Sequence, residues 1–525
     1  MRGYIQYILN NAPRVMTQID RDADSLSYGS CDRNYWHLKI RDFSSAILQQ
    51  SALSMALLYS VDFEGNYYYS NANVKEWSVA ALRYLSKIQL SDGSFNEYYP
   101  NEHGYPPTAF ILFSGCLTYQ VLDLEDPDIL ACLKRTGAYL AKHCEKSAYN
   151  QELAAITGLY LLYEITGEEI YQQSCSEKLD AALKVQSKEG WFPEQGGADI
   201  GYSSVALDML AEYYWHSKDE RVREPLNKLC QFLQHFAHPD KTMGGEYGSR
   251  NTTYLMPNGF AIMEIMGERS AAAVNHALFA EVEPSTHFMN GVDERYLAHY
   301  VLHSFLRALE KEKTHRLQET PELLPCEKKH FSVFSESGLV TVCTENYYAV
   351  AAPSKGGIIK AFQNGKEVFG DFGYRHTIKP GTIGATNWLD PEYKISYLDN
   401  GFEVSGYFNI VRQKLQTPIY HLGLRVCAAM FGKKINTMIK RVLLFTDRHE
   451  KIKFTRNVLF SEDRICIKDT ITDFSGSAPE IYEASNFSLR LVASGKFFSR
   501  TDLLKNDHAP FVVSGEKELK KEVLF

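Results

Sequence analysis

Between residues 42 and 313, apolar residues recur at three- and four-residue spacing in one segment after another. This spacing places apolar side chains on one face of a helix. The segments cover residues 43–59, 74–89, 107–122, 129–143, 151–166, 170–186, 202–216, 221–237, 254–266 and 294–310. Short polar loops separate them. The pattern therefore predicts ten or eleven helices stacked as antiparallel hairpins.

Two turns in this helical region repeat each other. Residues 87–95 (KIQLSDGSF) and 184–192 (KVQSKEGWF) each end a helix and present a glutamine, a glycine and an aromatic residue in the same order. Residues 236–246 are a weaker third copy. Glycine supplies the left-handed conformation that ends a helix, and an internal repeat of such turns is typical of α/α toroids. We predict an N-terminal incomplete (α/α)5-6 toroid, with a plain helical solenoid as the alternative.

After residue 313 the apolar pattern becomes that of strands. Residues 316–330 contain two prolines and several charges and are predicted as a linker. Strands are predicted over residues 331–334, 338–344, 347–352, 402–408, 422–429, 451–460, 464–470 and 487–492. Their spacing predicts an antiparallel β-sandwich over residues 331–525, following a toroid domain over residues 1–315. The charged C-terminus is either an edge strand over residues 522–525 or has no fixed structure.

Composition narrows the class of protein. Apolar residues make up 45% of the chain and charged residues 23%, as in ordinary folded domains. The net charge is −8 and no block of Lys and Arg stands out, which argues against nucleic acid and anionic membrane as partners. The chain has 33 Tyr, 29 Phe and 5 Trp. These aromatic residues either fill the core or line a groove that stacks on sugar rings.

Targeting and metal-binding signals are missing from the sequence. Residues 1–16 lack the continuous apolar stretch of a signal peptide, and no segment approaches the length of a membrane span. The ten cysteines are scattered, without a CxxC pair or zinc spacing. We expect a cytoplasmic protein with reduced thiols and with no cofactor or metal.

Four predicted loops contain many polar and aromatic residues: residues 31–42, 95–107, 194–202 and 244–254. In a toroid, alternate loops gather at one end of the ring, so these four are expected to line one funnel. Arginine pairs with carboxylates, and aromatic rings stack on sugars. The candidate substrate-binding residues on these loops are Arg33, Trp36, His37, Tyr105, Asp199, Tyr202, Glu246 and Asn251.

With these loops, the sequence resembles the heparinase II/III-like polysaccharide lyases, which join an α/α toroid to a β-sandwich. The resemblance implies β-elimination on acidic, uronic-acid-containing poly- or oligosaccharides, in bacterial surface-polysaccharide metabolism. Asn101 and His103 resemble the pair that binds the substrate carboxylate. Tyr247 is the candidate base or acid, with Arg250 and Asn251 as its helpers, because a positive charge such as that of Arg250 stabilises a phenolate. Tyr202 and Tyr105 are the alternatives for a second tyrosine.

The sequence departs from this family in the β domain. Of the His-rich motif that such lyases present to the cleft, only His376 is present, so the second catalytic group and any structural metal implied by the resemblance are left open. Two other functions therefore stay open. One is a non-catalytic glycan-binding or assembly protein. The other is a glycoside hydrolase with two carboxylates, drawn from Glu97, Glu102, Glu194, Asp199 and Glu246.

Overall fold

The computed structural model describes residues 3–282, 287–315, 321–412, 417–431, 448–484 and 509–525. The helices are α1 (Tyr4–Met16), α2 (Arg33–Trp36), α3 (Ser51–Ser60), α4 (Ala72–Ile88), α5 (Tyr105–Val121), α6 (Pro127–Lys142), α7 (Tyr149–Thr166), α8 (Glu169–Leu183), α9 (Ile200–Ser217), α10 (Arg223–Leu233), α11 (Pro257–Ile265), α12 (Arg269–Phe279), α13 (Glu294–Tyr296), α14 (Leu302–Thr314) and α15 (Pro418–Phe431).

Twelve of the first fourteen helices form a ring of hairpins, and the short α2 and α13 lie in the connections. The inner helices are α3, α5, α7, α9, α11 and α14; each packs on the next, and α14 also packs on α3. The outer helices α4, α6, α8, α10, α12 and α1 pack on the outside of the inner ring, and some of them, such as α6, contact two inner helices. Inner helices such as α5 are buried almost all round, because protein surrounds them, whereas outer helices such as α4 bury one stripe. The predicted toroid is confirmed.

The glutamines of the repeated turns fix each turn to the next outer helix. Gln89 donates from Nε2 to the carbonyl oxygen of Gly93 (3.2 Å) and to that of Cys132 (3.0 Å). Gln186 does the same with the carbonyl oxygens of Gly190 (2.7 Å) and Pro225 (2.9 Å). Both glycines have a positive φ. The repeat therefore follows from a shared packing contact as well as from the turn itself.

We predict that Gly190→Ala destabilises the toroid. Gly190 has a φ of +105°, and an added Cβ would lie 2.3 Å from the carbonyl oxygen of Lys228. The free energy of unfolding is expected to fall by about 2–5 kcal/mol, because backbone strain adds to overpacking. Gly196→Ala is the control, since its φ is +92° but no described atom lies within 4 Å. It should cost only about 1–2 kcal/mol. If urea unfolding shows the same loss in the free energy of unfolding for Gly190→Ala and Gly196→Ala, the clash with Lys228 has no role.

The second domain is built from antiparallel strands. They are β1 (His330–Phe334), β2 (Leu339–Cys343), β3 (Tyr348–Ala352), β4 (Ile358–Gln363), β5 (Lys366–Asp371), β6 (Tyr374–Lys379), β7 (Thr382–Ala385), β8 (Lys394–Leu398), β9 (Gly401–Arg412), β10 (His449–Phe460), β11 (Arg464–Asp473), β12 (Glu480–Glu483), β13 (Phe511–Val512) and β14 (Glu516–Leu524). Strands β1–β5 form one sheet in sequence order. The larger sheet has the order β13-β12-β6-β7-β9-β10-β11-β14, with β8 also paired to β9.

The five-stranded sheet is the middle layer of the molecule. On β3, Tyr348 and Val350 belong to the core shared with the toroid, whereas Ala349 and Ala351 face the core shared with the larger sheet. Burial on both faces explains why β3 is apolar at every position. The predicted antiparallel β-sandwich after the toroid is confirmed.

One of the predicted strands is part of a helix in the structure. Residues 422–429 lie in α15 rather than in a strand, because a short apolar run does not distinguish strand from helix. Pro418 at its first position suits a helix start. The predicted strand over residues 487–492 lies outside the described residues.

Among the described residues, no helix is both long and apolar enough to cross a membrane.

Candidate functional site

The candidate loops lie at one end of the ring. Each leads from an outer helix into an inner one, for example α4 into α5 and α8 into α9, so all four emerge on the same rim. Neighbouring loops are hydrogen-bonded to each other. The amide of Ala46 donates to the carbonyl oxygen of Asn96 (2.9 Å), and that of Ser249 donates to the carbonyl oxygen of Ala198 (2.8 Å). Backbone hydrogen bonds therefore connect the first loop region to the second and the third loop to the fourth.

Tyr202 and Arg250 form a pair on this rim. Tyr202 is half-buried in the first turn of α9, and the guanidinium carbon of Arg250 lies 5.2 Å from the centre of its ring. Arg250 also forms an ion pair from Nη1 to Oε1 of Glu194 (2.8 Å). Its Nε is buried and has no hydrogen-bond partner within the described parts of the chain. The pair therefore combines a phenol with a cation that retains an unused donor.

Asp199 holds the two loops that carry this pair. As the N-cap of α9, its Oδ1 accepts from the amide of Tyr202 (3.1 Å). Its Oδ2 accepts from the amide of Arg250 (2.8 Å), and Oδ1 also accepts from the hydroxyl of Thr252. Asp199 is completely buried. Predicted to bind substrate, it is placed by the structure beneath the site, where it fixes the backbone of both loops.

Asn150, which the sequence did not single out, extends the pair. It lies in the first turn of α7, and its Nδ2 donates to Oε2 of Glu194. Its Oδ1 is buried and has no hydrogen-bond partner among the residues described. Burial raises the pKa of Glu194 to about 8, although the charge of Arg250 opposes this shift. Only the position of Asn150 in the helix order could have identified it from the sequence. The loop before α7 leads from an outer helix to an inner one, as the four candidate loops do.

Arg295 and Tyr98 form a second pair on the same rim. The guanidinium carbon of Arg295 lies 4.8 Å from the centre of the Tyr98 ring, and Arg295 is also ion-paired with Glu97. Arg41 donates from Nη2 to the carbonyl oxygen of Glu97 (2.8 Å). Tyr98 remains 45% exposed. The first predicted loop therefore contributes Arg41, which ties it to the second.

Three buried tyrosines connect the two pairs. The ring of Tyr254 lies 5.8 Å from that of Tyr202 and 5.8 Å from that of Tyr296. The hydroxyl of Tyr300 donates to that of Tyr254 (2.8 Å). Tyr296 directly follows Arg295 in the chain, so its contact with Tyr254 links the second pair to the first. Burial raises the pKa of Tyr296 well above its usual value, and the charges of Tyr202 and Tyr98 add to this shift.

A π-helical turn over residues 297–301 separates Tyr296 from α14, and such turns are frequent at functional sites. We call the whole group the tyrosine–arginine cluster. It consists of Tyr98, Tyr202, Tyr254, Tyr296, Tyr300, Arg250 and Arg295.

Glu246 and Asn251, predicted to bind substrate, instead join the toroid to the β domain. Glu246 is ion-paired with Lys360 (3.1 Å). Asn251 accepts at Oδ1 from Nζ of Lys355 (2.6 Å). The β domain also reaches the rim through Leu389, which lies 3.1 Å from the position of a Cβ added to Gly197. These contacts anchor the loop that carries Arg250.

Tyr247 points away from Arg250 into the protein. Only 1% of it is exposed, and its hydroxyl is hydrogen-bonded to Nε2 of His238 (2.8 Å). Burial raises the pKa of Tyr247 well above its usual value, which is the opposite of what a base requires. The guanidinium of Arg250 packs on Tyr202 instead. These contacts argue against the assignment of Tyr247 as the base, and they place Arg250 beside Tyr202 rather than beside Tyr247.

The structure does not join the second predicted loop to the cluster through Asn101, His103 or Tyr105. His103 is paired through Nδ1 with Asp92 (2.7 Å) in the repeated turn. Asn101 is exposed, with a φ of +58°. Tyr105 is buried, and its hydroxyl donates to Glu152. These contacts shape the loop and the start of α5.

The remaining candidates are held elsewhere. Trp36 donates from Nε1 to the carbonyl oxygen of Gln18 (2.7 Å), which anchors α2 beside α1. Arg33 is half-buried on α2, and His37 is exposed at its end. His376 is buried in the larger sheet and bonded to Glu450 (2.8 Å). Within the described ranges, no group of three or more His, Cys, Asp or Glu side chains is arranged to hold a metal ion.

Comparison with known proteins identifies the architecture. The sequence matches no family profile and no curated protein. Among solved structures, a chondroitin AC lyase of Streptomyces coelicolor A3 in complex with chondroitin sulphate has 11% identity and a TM-score of 0.56, over 91% of this chain and 67% of that chain. A Paenibacillus xanthan lyase has 10% identity and a TM-score of 0.52, over 91% of this chain and 46% of that chain.

The chain therefore spans about two thirds of one of these structures and just under half of the other. At this low identity the likeness concerns the fold alone. This chain has the fold of polysaccharide lyases that combine a helical toroid with a β domain.

Proposed function

We propose that this protein is a carbohydrate-active enzyme that cleaves uronic-acid-containing glycans by β-elimination, in the manner of heparinase II/III-like lyases. The observation that carries the proposal is the pairing of Tyr202 with Arg250 on the rim, 5.2 Å from ring centre to guanidinium carbon. A phenol beside a fixed cation can ionise more easily than a free one. The toroid-plus-β fold, shared with polysaccharide lyases, supports the same reaction class.

The proposed chemistry uses groups that the rim brings together. Arg250, whose guanidinium lies beside the Tyr202 ring, stabilises the negative charge that develops on the C6 carboxylate of the uronic acid. The neighbouring Asn150 uses one hydrogen of its Nδ2 group for Glu194, and the second hydrogen is the donor proposed for the same carboxylate. The phenolate of Tyr202 removes the C5 proton. The electrons of the C5–H bond form a C4–C5 double bond and the C4–O bond breaks. The leaving oxygen takes up the proton that Tyr202 has just removed, which returns Tyr202 to the phenolate. Tyr98 and the other rings of the tyrosine–arginine cluster offer surfaces for the adjoining sugars.

The contacts of the carboxylates favour a lyase over a hydrolase. A hydrolase needs two carboxyl groups that are directed at the substrate. All five predicted carboxylates have protein partners: Glu97 with Arg295, Glu102 with the amides of residues 97 and 98, Glu194 with Arg250, Asp199 with the amides of residues 202 and 250, and Glu246 with Lys360.

A panel of glycans tests the reaction class. The protein is incubated with chondroitin, hyaluronan, alginate and heparan, and with neutral polysaccharides as a control. We expect the ultraviolet absorbance of the new conjugated double bond to appear with at least one acidic glycan and with none of the neutral ones. New reducing ends without that absorbance would identify a hydrolase. Binding without any cleavage would identify a non-catalytic glycan-binding protein.

A further inference from the structure

Helix α15 exposes an apolar stripe on the outside of the molecule. Ile419, Leu422, Val426 and Met430 follow one another at spacings of three and four residues, so they lie along one face. They are 83%, 65%, 51% and 69% exposed. The flanking Tyr420 and Phe431 are exposed as well, and only Ala428 of the helix is buried. An apolar face of this kind normally packs against a partner.

The opposite face attaches α15 to the rim. Both guanidinium Nη atoms of Arg425 contact the carboxylate of Asp42, with a distance of 2.9 Å from Nη2 to Oδ1. Leu424 and the buried Ala428 lie on this same side of the helix. Asp42 follows Arg41, which bonds the loop that carries Tyr98. The apolar stripe therefore faces outward at the end of the ring that holds the candidate site.

The charge around α15 is unlike that of the rest of the chain. The protein as a whole has 64 acidic residues and a net charge of −8. Between residues 404 and 446, however, the sequence contains seven Lys or Arg residues and not one Asp or Glu. Helix α15 itself carries Arg425 and His421 and no acid. An apolar stripe with a basic, acid-free sequence around it is the pattern of helices that lie in the surface of an anionic membrane.

We propose that α15 docks this protein onto an anionic lipid bilayer, with Ile419, Leu422, Val426 and Met430 entering the interface. A lipid surface fits better than a second copy of the chain. A stable protein interface uses about 20–30 residues on each side, whereas this stripe has four residues and two flanking rings. Two observations argued against membranes, the net charge and the lack of a contiguous Lys/Arg block. Neither one registers basic residues that are spread along a stretch without acids, as they are here.

Membrane docking through α15 does not require any reaction at the rim. If the proposed function holds, docking would also bring the rim close to a glycan attached to the same surface. Membrane binding and glycan cleavage are measured separately, so the failure of one leaves the other intact.

Vesicle sedimentation of the full chain tests the proposal. The wild-type protein should sediment with vesicles of equimolar phosphatidylcholine and phosphatidylglycerol, and not with vesicles of phosphatidylcholine alone. Added salt should weaken the binding, because it screens the lipid charge. The variant with Ile419→Ser, Leu422→Ser and Val426→Ser should bind at least about tenfold more weakly, because it loses most of the inserted apolar surface.

A matched control separates the stripe from exposed apolar residues in general. It carries Leu26→Ser, Leu398→Ser and Leu524→Ser, which are 96%, 39% and 68% exposed. This control should bind as the wild type does, and thermal unfolding should show that both variants fold. Equal sedimentation with both kinds of vesicle, or unchanged binding by the α15 variant, would overturn the proposal. So would a concentration-dependent dimer that the α15 variant abolishes while vesicles stay unbound.

Discussion

Tyr202→Phe is expected to lower kcat by about 10²–10⁴-fold, the contribution of a well-placed general base. The substitution removes only a hydroxyl from a half-buried ring that packs between Arg250 and Tyr254. The ring contacts are kept, so the cost in stability should be about 1 kcal/mol. The measurement compares initial rates on the cleaved glycan with the midpoint of thermal unfolding.

Tyr247→Phe is the matched control, because it removes the same atom from a tyrosine of the next loop. Its hydroxyl is hydrogen-bonded to His238 inside the protein. We expect a loss of about 1 kcal/mol in stability, with turnover preserved. The opposite outcome, with Tyr247→Phe inactive and Tyr202→Phe active, would restore the assignment that the sequence suggested.

Arg307→Met is expected to cause the largest loss of stability, about 3–5 kcal/mol, because it leaves the buried carboxylate of Asp208 without its cation. Arg307 is 1% exposed in the core of the ring. Its Nη1 is 2.8 Å from Asp208 and 2.9 Å from Glu212. Lys311 is also paired with Glu212 (3.1 Å) but makes no ion pair with Asp208 in the described part of the chain. Urea unfolding measures the loss.

Arg83→Met is the control for this prediction. Arg83 is paired with Asp126 (2.9 Å), but its side chain is 66% exposed. An exposed pair contributes at most about 1 kcal/mol, so the loss should be small. Comparable losses in the two variants would show that the buried network is dispensable.

The same network predicts how stability depends on pH. Burial alone would raise the pKa of Glu212, but Lys311 and Arg307 outweigh it and hold the pKa well below its usual value. The stabilisation from Glu212 is therefore present above the carboxyl pKa of the unfolded chain and is lost as the pH falls through the acid range. Arg307→Met should flatten this dependence.

Helices packed into the ring were the most predictable part of the fold. The segment predicted over residues 107–122 is α5 (Tyr105–Val121) in the structure, because its apolar pattern and early prolines are local signals. The segment predicted to begin at residue 43 is less regular. It starts as a 3-10 turn (Ala46–Gln50), and α3 begins only at Ser51. Helix ends depend on neighbouring loops, which the periodicity does not describe.

For three elements the sequence pattern was too weak or too ambiguous to predict the structure correctly or in full. Polar residues interrupt α1, yet Tyr4, Tyr7 and Ile8 are buried where α1 packs against α14. Residues 422–429 had the composition of a strand and form part of a helix, since a short apolar run fits both. The charged C-terminus forms β14, an edge strand that runs from Glu516 to Leu524.

For the candidate site, the sequence identified the loops but not which side chains meet. Asp199, Tyr202 and Arg250 were all candidates, and all three lie together. Tyr247 was paired with Arg250 because the two are neighbours in the chain. In the structure the backbone between them is held by Asp199 and Lys355, so that their side chains point to different surroundings.

The sequence by itself determined the helices, the repeated turns and therefore the ring with its rim of loops. Each of these follows from spacing within a few turns of chain, where geometry is fixed by the backbone period. Only the tertiary structure decided that Tyr202 packs on Arg250, that Tyr98 packs on Arg295, and that Asn150 joins through Glu194. These pairings join residues far apart in sequence, and they depend on how long loops pack against one another and against the β domain.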